Sequence, residues 1–168
     1  MIITEGHNPN SPWTEAQFDA VATFIEKAKP YLELRDWRFL LMDDHPDDDK
    51  AAASVLQVEG RKLVELRLAR DFFTDEFSDK QRTHFLIHEM CHLFTFGLDH
   101  TFEKTGKDWL PANTYDALCE IWNNQVEILT DTLAYAFADL LPFQFASPGP
   151  AATEPPAEDP PSAEEHHA

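Results

Sequence analysis

The pentapeptide His88-Glu89-Met90-Cys91-His92 constrains this chain more than any other feature, because its spacing has a chemical meaning on a helix. Residues four apart project from the same helix face with β-carbons about 6 Å apart. His88 and His92 can therefore reach one tetrahedral Zn²⁺ ion. Glu89 lies one step round the helix, where it can take a proton from water held by the metal without being a ligand. The motif predicts a zinc site with Glu89 as general base.

The surroundings of the motif favour a helix that follows a sheet. An apolar stretch on both sides of the motif predicts a helix that begins near Ser78 and runs to Phe96, before Gly97. His84 lies one turn before the motif, but two residues eight apart are separated by about 12 Å along a helix. His84 and His92 therefore cannot share one ion. We expect His84 to support the site or to lie at the surface.

A catalytic zinc ion with two histidine ligands needs a third ligand from the protein. The last predicted helix, which opens at Thr114, places Glu127 and Asp131 four residues apart on one face. Glu127 would complete the ligand set, and Asp131 could accept a hydrogen bond from the other ring nitrogen of a ligand histidine. His100 and Asp131 remain alternative third ligands.

The apolar periodicity predicts an α+β fold in one domain, residues 1–145. We expect an N-terminal helix up to Ala28 and a small antiparallel three-stranded sheet, then the zinc-motif helix and a long C-terminal helix that ends at Pro142. The expected strands are 37–42, 53–58 and 63–68, the last two joined by a hairpin at Gly60. A loop of about 15 residues should connect the last two helices.

Charge and composition disfavour several classes of partner. The chain has 168 residues, 13 Lys and Arg against 31 Asp and Glu, and a net charge of −18, which disfavours nucleic acid and basic membrane-surface helices. Residues 146–168 hold six prolines and no Lys or Arg, as is typical of a disordered acidic tail. No apolar run reaches about 20 residues and no signal peptide is recognisable, so we expect a cytoplasmic protein. Cys91 and Cys119 should be free thiols, with Cys91 buried.

The motif followed by Glu127-x-x-x-Asp131 resembles the gluzincin branch of zinc metallopeptidases, particularly its minimal members. Residues 131–142 are also similar to the ending of bacterial and phage metallopeptidases of the ImmA/IrrE type. The resemblance covers roughly residues 55–142. It implies that His88, His92 and Glu127 bind zinc, that Glu89 is general base and acid, and that Asp131 supports a ligand histidine. Because the family glutamate aligns poorly here, Asp131 remains open as a ligand.

The resemblance also implies an activity. We expect a small zinc-dependent metallopeptidase that hydrolyses a peptide or protein substrate; the alternative is a non-catalytic zinc-binding regulatory or interaction domain. In the family, the strand before the zinc helix can bind a peptide by strand addition, and here that strand is Leu63–Leu68. Tyr115, Tyr135 and His100 are candidates for stabilising the oxyanion. The phage members of the family extend the expectation to a phage-encoded protein in a bacterial host.

Overall fold

The computed structural model describes residues 3–4, 13–58 and 60–141. The elements in chain order are β1 (Ile3–Thr4), α1 (Glu15–Ala28), β2 (Arg38–Leu41), β3 (Ala53–Gln57), β4 (Leu63–Leu68), α2 (Asp79–His92), α3 (Phe96–Trp109) and α4 (Ala112–Ala138). The predicted α+β class is confirmed. Pro142 and the predicted tail, residues 146–168, lie outside the described residues.

The sheet differs from the predicted antiparallel three-stranded sheet in two respects. Its strand order is β1-β2-β4-β3, so β4 lies between its hairpin partner and β2. β4 pairs antiparallel with β3 but parallel with β2, and β1 adds a short parallel strand beyond β2. The alternation of apolar residues in a strand reports which face is buried, but it carries no information about the direction of the neighbouring strand. The sheet is therefore mixed, and β3 forms one of its edges.

The hairpin between β3 and β4 is confirmed at the position expected. Gly60 has φ +71°, in the left-handed region that favours glycine. The Val58 N–H donates to the Leu63 carbonyl at 2.9 Å and begins the ladder. Along β4, Val64, Leu66 and Leu68 are buried, as predicted for a strand with one buried face.

The orientation of α2 follows from its buried side. The helix begins at a capping box, in which Ser78 accepts from the Gln81 backbone and Gln81 accepts from the Ser78 backbone. Four side chains of α2 are at most 1% exposed and contribute to the hydrophobic core: Leu86, Ile87, Met90 and Cys91. Burying a leucine, isoleucine or methionine is worth about 1.5–3 kcal/mol, so this face fixes the rotation of the helix. Cys91 is buried on the core side as predicted, and both cysteines are free thiols.

The segment after the motif was predicted as continued helix and then loop, and both predictions are wrong. α2 ends at His92, where the Thr95 hydroxyl donates to the His92 carbonyl at 3.0 Å, and the chain turns. α3 then occupies most of the expected loop. α3 continues through Gly106, where the helix packs closely against the ring of Tyr115. A Cβ atom on residue 106 would lie only 2.7 Å from that ring, so glycine is needed for the contact and does not end the helix.

The buried face of α4 consists mostly of small side chains rather than of the larger apolar residues of the helix. The buried residues of α4 are Val126, Thr130, Ala134 and Ala138, four residues apart. Most are small, which lets α2 and α4 approach closely, while larger residues of α4 such as Ile128 and Leu129 are exposed. Among residues 3–4, 13–58 and 60–141, no helix is long and apolar enough to cross a membrane.

Candidate metal centre

The closely packed helices α2 and α4 bring the predicted site residues together. His88 and His92 project from α2 and are about one-sixth exposed, while Glu127 and Asp131 follow directly after buried residues of α4. Both carboxylates reach the histidines of α2, with oxygen–nitrogen separations of 2.8 to 3.6 Å. The side chain of Glu127 is 58% exposed, so the centre opens to solvent on the α4 side.

Two imidazole nitrogens and the two carboxylate oxygens of Glu127 converge with spacings close to those between the ligands of a tetrahedral ion. The Nε2 atoms of His88 and His92 are 3.1 Å apart. Glu127 Oε2 lies 3.3 Å from His88 Nε2, and Glu127 Oε1 lies 3.6 Å from His92 Nε2. Bonds of about 2.0 Å in a tetrahedral zinc site place ligand atoms about 3.3 Å apart. The donor set therefore fits Zn²⁺ in both chemistry and spacing.

Asp131 fixes the ring nitrogen that His88 presents to this cluster. Asp131 Oδ1 lies 2.8 Å from His88 Nδ1. An ionised carboxylate only accepts hydrogen bonds, so Nδ1 carries the proton and donates it, and Nε2 of the neutral ring holds a lone pair. Glu127 Oε2 lies 3.3 Å from this Nε2 atom, so a carboxylate oxygen faces the lone pair of the nitrogen. This contact is favourable only when a proton or a cation lies between the two atoms. The geometry that the sequence predicted for Asp131 is present.

Glu89 lies in the same cleft and is poorly solvated. Burial and, to a lesser extent, the negative charge of Glu127 together raise its pKa from 4.5 to about 8, against the effect of a hydrogen bond from the Val55 backbone. Glu89 therefore holds a proton at neutral pH when no cation is nearby. A divalent ion held by His88, His92 and Glu127 would favour the ionised carboxylate that can accept a proton.

A cleft of about 630 Å³ lies beside these residues, and β3 forms part of its wall. β4 was expected to line the cleft and bind peptide, but it is paired with a strand on both sides and has no free edge.

In an antiparallel ladder, alternate residues point their backbone groups to the neighbouring strand. Since Ala52 and Val58 bond to β4, the backbone of Val55 faces the opposite way, towards Glu89. Sequence reasoning missed Val55, because the edge position depends on strand order.

The remaining candidates lie away from Glu89. His100 is exposed on α3 and lines a separate cavity of about 350 Å³ beside His92 and Glu127. Within the described part of the chain it belongs to neither group of potential metal ligands. Tyr115 lies about 18 Å along α4 from Glu127. Tyr135 is nearer, but it is 65% exposed and neither tyrosine lines the cleft.

His84 is mostly buried and lies beside Asp131 at the edge of the metal centre. Its Nε2 is 3.6 Å from Asp131 Oδ1, and its side chain is 16% exposed. Burial lowers the pKa of His84, against the attraction of Asp131, and burial followed by the charge of His88 lowers the pKa of His92. Both imidazoles are therefore biased towards the neutral form, which is the form that binds metals.

No protein-family model, no curated protein and no solved structure matches this chain. The resemblance to gluzincins stays a prediction, which rests on the motif at residues 88–92 and on Glu127 and Asp131. What supports a function is therefore the chemistry and geometry of the residues themselves.

Proposed function

We propose that this chain is a zinc-dependent metallopeptidase that hydrolyses peptide bonds. The observation that supports the proposal most strongly is the convergence of His88, His92 and Glu127 beside the poorly solvated carboxyl group of Glu89. These three residues would hold the ion. When bound, Zn²⁺ acts as a Lewis acid and lowers the pKa of water, which is the chemistry that amide hydrolysis needs.

Glu89 is the proton carrier in this proposal. Its carboxylate would accept a proton from the attacking water and return it to the departing amine. Burial raises the pKa of Glu89, and a bound cation would lower it. These opposing effects would keep the pKa in the range in which a carboxylate can both accept and return a proton near neutral pH. Glu89 remains free for this role because Glu127 completes the ligand set.

Asp131 is a positioning residue. Its hydrogen bond to Nδ1 holds the His88 ring so that Nε2 points at Glu127 and His92. Such carboxylate contacts also raise the basicity of a ligand imidazole.

The edge of β3 is the proposed place for the substrate backbone. Ala53, Val55 and Gln57 direct their backbone groups away from β4. Of these three residues, Ala53 and Val55 lie in the wall of the cleft. An extended peptide can add to such an edge by main-chain hydrogen bonds. The net charge of −18 favours peptides with basic side chains.

One observation favours a second candidate function, a zinc-binding regulatory or interaction domain without catalysis. Tyr115, Tyr135 and His100, the expected donors to an oxyanion, are absent from the residues that line the cleft beside Glu89. A site without such a donor binds metal and peptide but stabilises the transition state less.

Digestion of a peptide mixture by the zinc-loaded protein, followed by mass spectrometry, tests the proposal. The wild type and Glu120→Gln, a matched change at an exposed residue of α4, should cleave peptides at equal rates. Glu89→Gln should retain zinc and cleave at least about 100-fold more slowly. Undiminished cleavage by Glu89→Gln would refute the mechanism, and a zinc-loaded wild type without cleavage would favour the non-catalytic function.

A further inference from the structure

We propose that His84, His88 and Asp131 form a second metal site, which shares the His88 imidazole with the first site and binds Zn²⁺ more weakly. The inference depends on the metal-binding part of the proposed function but not on catalysis. Three residues that each offer one ligand atom lie here, with those atoms within 4.8 Å of one another. Two imidazoles and a carboxylate form a donor set that suits zinc.

Asp131 is the centre of this second group. Its Oδ1 atom lies 2.8 Å from His88 Nδ1 and 3.6 Å from His84 Nε2, on either side of the separation of about 3.3 Å expected for a tetrahedral ion. His84 and His88 lie one turn apart on α2, the same relation that His88 has to His92. The stripe of three histidines therefore offers two adjacent sites, each completed by a carboxylate of α4.

The two nitrogens of His88 serve the two sites separately. Nε2 faces His92 and Glu127, whereas Nδ1 faces Asp131. For a metal to bind Nδ1, the proton on that atom must pass to solvent, and the ring then bridges the two ions as an imidazolate. This proton loss and the repulsion between two cations make the second site the weaker one.

Packing around His84 prepares its ring for a ligand role. The ring of Tyr135 lies over it with centroids 4.2 Å apart and shields it from solvent. His84 Nδ1 is buried and has no hydrogen-bond partner among the described residues, while Nε2 points to Asp131. His84 and Asp131 both line the cleft of the first site, so an ion that enters the cleft can reach both positions.

Occupation of the second site has a consequence for the first. An ion at Nδ1 replaces the hydrogen bond with which Asp131 orients His88. Excess zinc should therefore alter the first site through His88, the residue they share.

Equilibrium dialysis of the full chain against Zn²⁺ alone tests the proposal. The wild type should bind one tight equivalent and one weaker equivalent per chain. His84→Asn and His84→Gln should weaken only the second equivalent, by at least about tenfold, and leave the first unchanged. Glu127→Gln should weaken the tight equivalent and retain the other. Thermal unfolding followed by circular dichroism identifies a variant that fails to fold.

Two results would overturn the second site alone: saturation of the wild type at one equivalent, or identical binding curves for the wild type and both His84 variants. A wild type that binds no zinc would overturn both this site and the proposed function.

Discussion

At the scale of single residues, the proton on His88 Nδ1 determines which ring nitrogen is free to bind a metal. Asp131 Oδ1 accepts the hydrogen bond from this N–H, and the oxygen lies 2.8 Å from Nδ1. Asp131→Asn removes the negative charge that supports the bond, so we expect zinc affinity of the tight site to fall by about 10–100-fold. Competition with a zinc chelator measures this change. Asp116→Asn, the same substitution at an exposed position of α4, should have no effect; an equal loss in both variants would contradict the role of Asp131.

Glu89 predicts a dependence of stability on pH in the metal-free protein. Its pKa is about 8 in the folded chain and near 4.5 when solvated, as it is in the unfolded chain. Between these values the folded state binds a proton that the unfolded state has lost, so the free energy of unfolding falls as pH rises. Relative to Glu89→Gln, the wild type should lose at least about 1 kcal/mol between about pH 5 and pH 8.

Urea unfolding of both proteins without metal measures this difference. His84 and His92 have lowered pKa values, which give stability the opposite slope, but both proteins share these groups. The comparison therefore isolates Glu89. If the free energies of unfolding of the wild type and Glu89→Gln change in parallel with pH, then burial does not raise the pKa of the Glu89 carboxyl group.

Most of the candidate site could be predicted at this scale. His88 with His92, and Glu127 with Asp131, were expected from four-residue spacing, which has a fixed meaning on any helix. Glu89 was expected from its place directly after the first histidine of the motif. The Val55 backbone was missed because no side-chain pattern records which backbone groups face an edge. The proximity of His84 to Asp131 was also underestimated, since it depends on how closely α4 packs on α2.

At the scale of elements, the contact between α3 and α4 depends on a glycine. Gly106→Ala places a Cβ within about 3 Å of the Tyr115 ring and should destabilise the protein by about 1 kcal/mol or more, although alanine favours helices. Gly97→Ala, in the same helix with open space around it, should stabilise by up to about 1 kcal/mol.

Chemical denaturation of the two variants gives this comparison. Adding Tyr115→Ala to Gly106→Ala should remove the steric part of the loss. A gain in stability for Gly106→Ala alone would show that Tyr115 moves aside without cost.

Element boundaries were predictable where side chains mark them and not elsewhere. Capping boxes at Thr14 and Ser78 give the starts of α1 and α2, because each satisfies backbone N–H groups that a helix leaves unpaired. α3 was missed because Gly97 and Gly106 are typical of helix ends, whereas Gly106 serves a close contact. The parallel pairing of β2 with β4 arises from tertiary packing and leaves no mark on either strand.

At the scale of the whole molecule, the net charge of −18 should influence substrate capture. If the chain is a peptidase, kcat/KM for a peptide with added lysines should exceed that for a neutral peptide of equal length and cleavage site. This advantage should shrink as salt rises from low ionic strength towards about 0.15 M, because salt screens exposed charges. Initial rates at several salt concentrations measure it. No difference between the peptides would exclude electrostatic steering.

Whether residues of α2 and α4 form one metal centre is tested most directly by the zinc content of protein purified without added metal. His88, His92 and Glu127 converge at distances that fit one ion, so we predict close to one tightly bound zinc per chain, lost when His92 is replaced by alanine. A zinc content below about 0.2 per chain, unchanged in His92→Ala, would contradict a metal centre at this position.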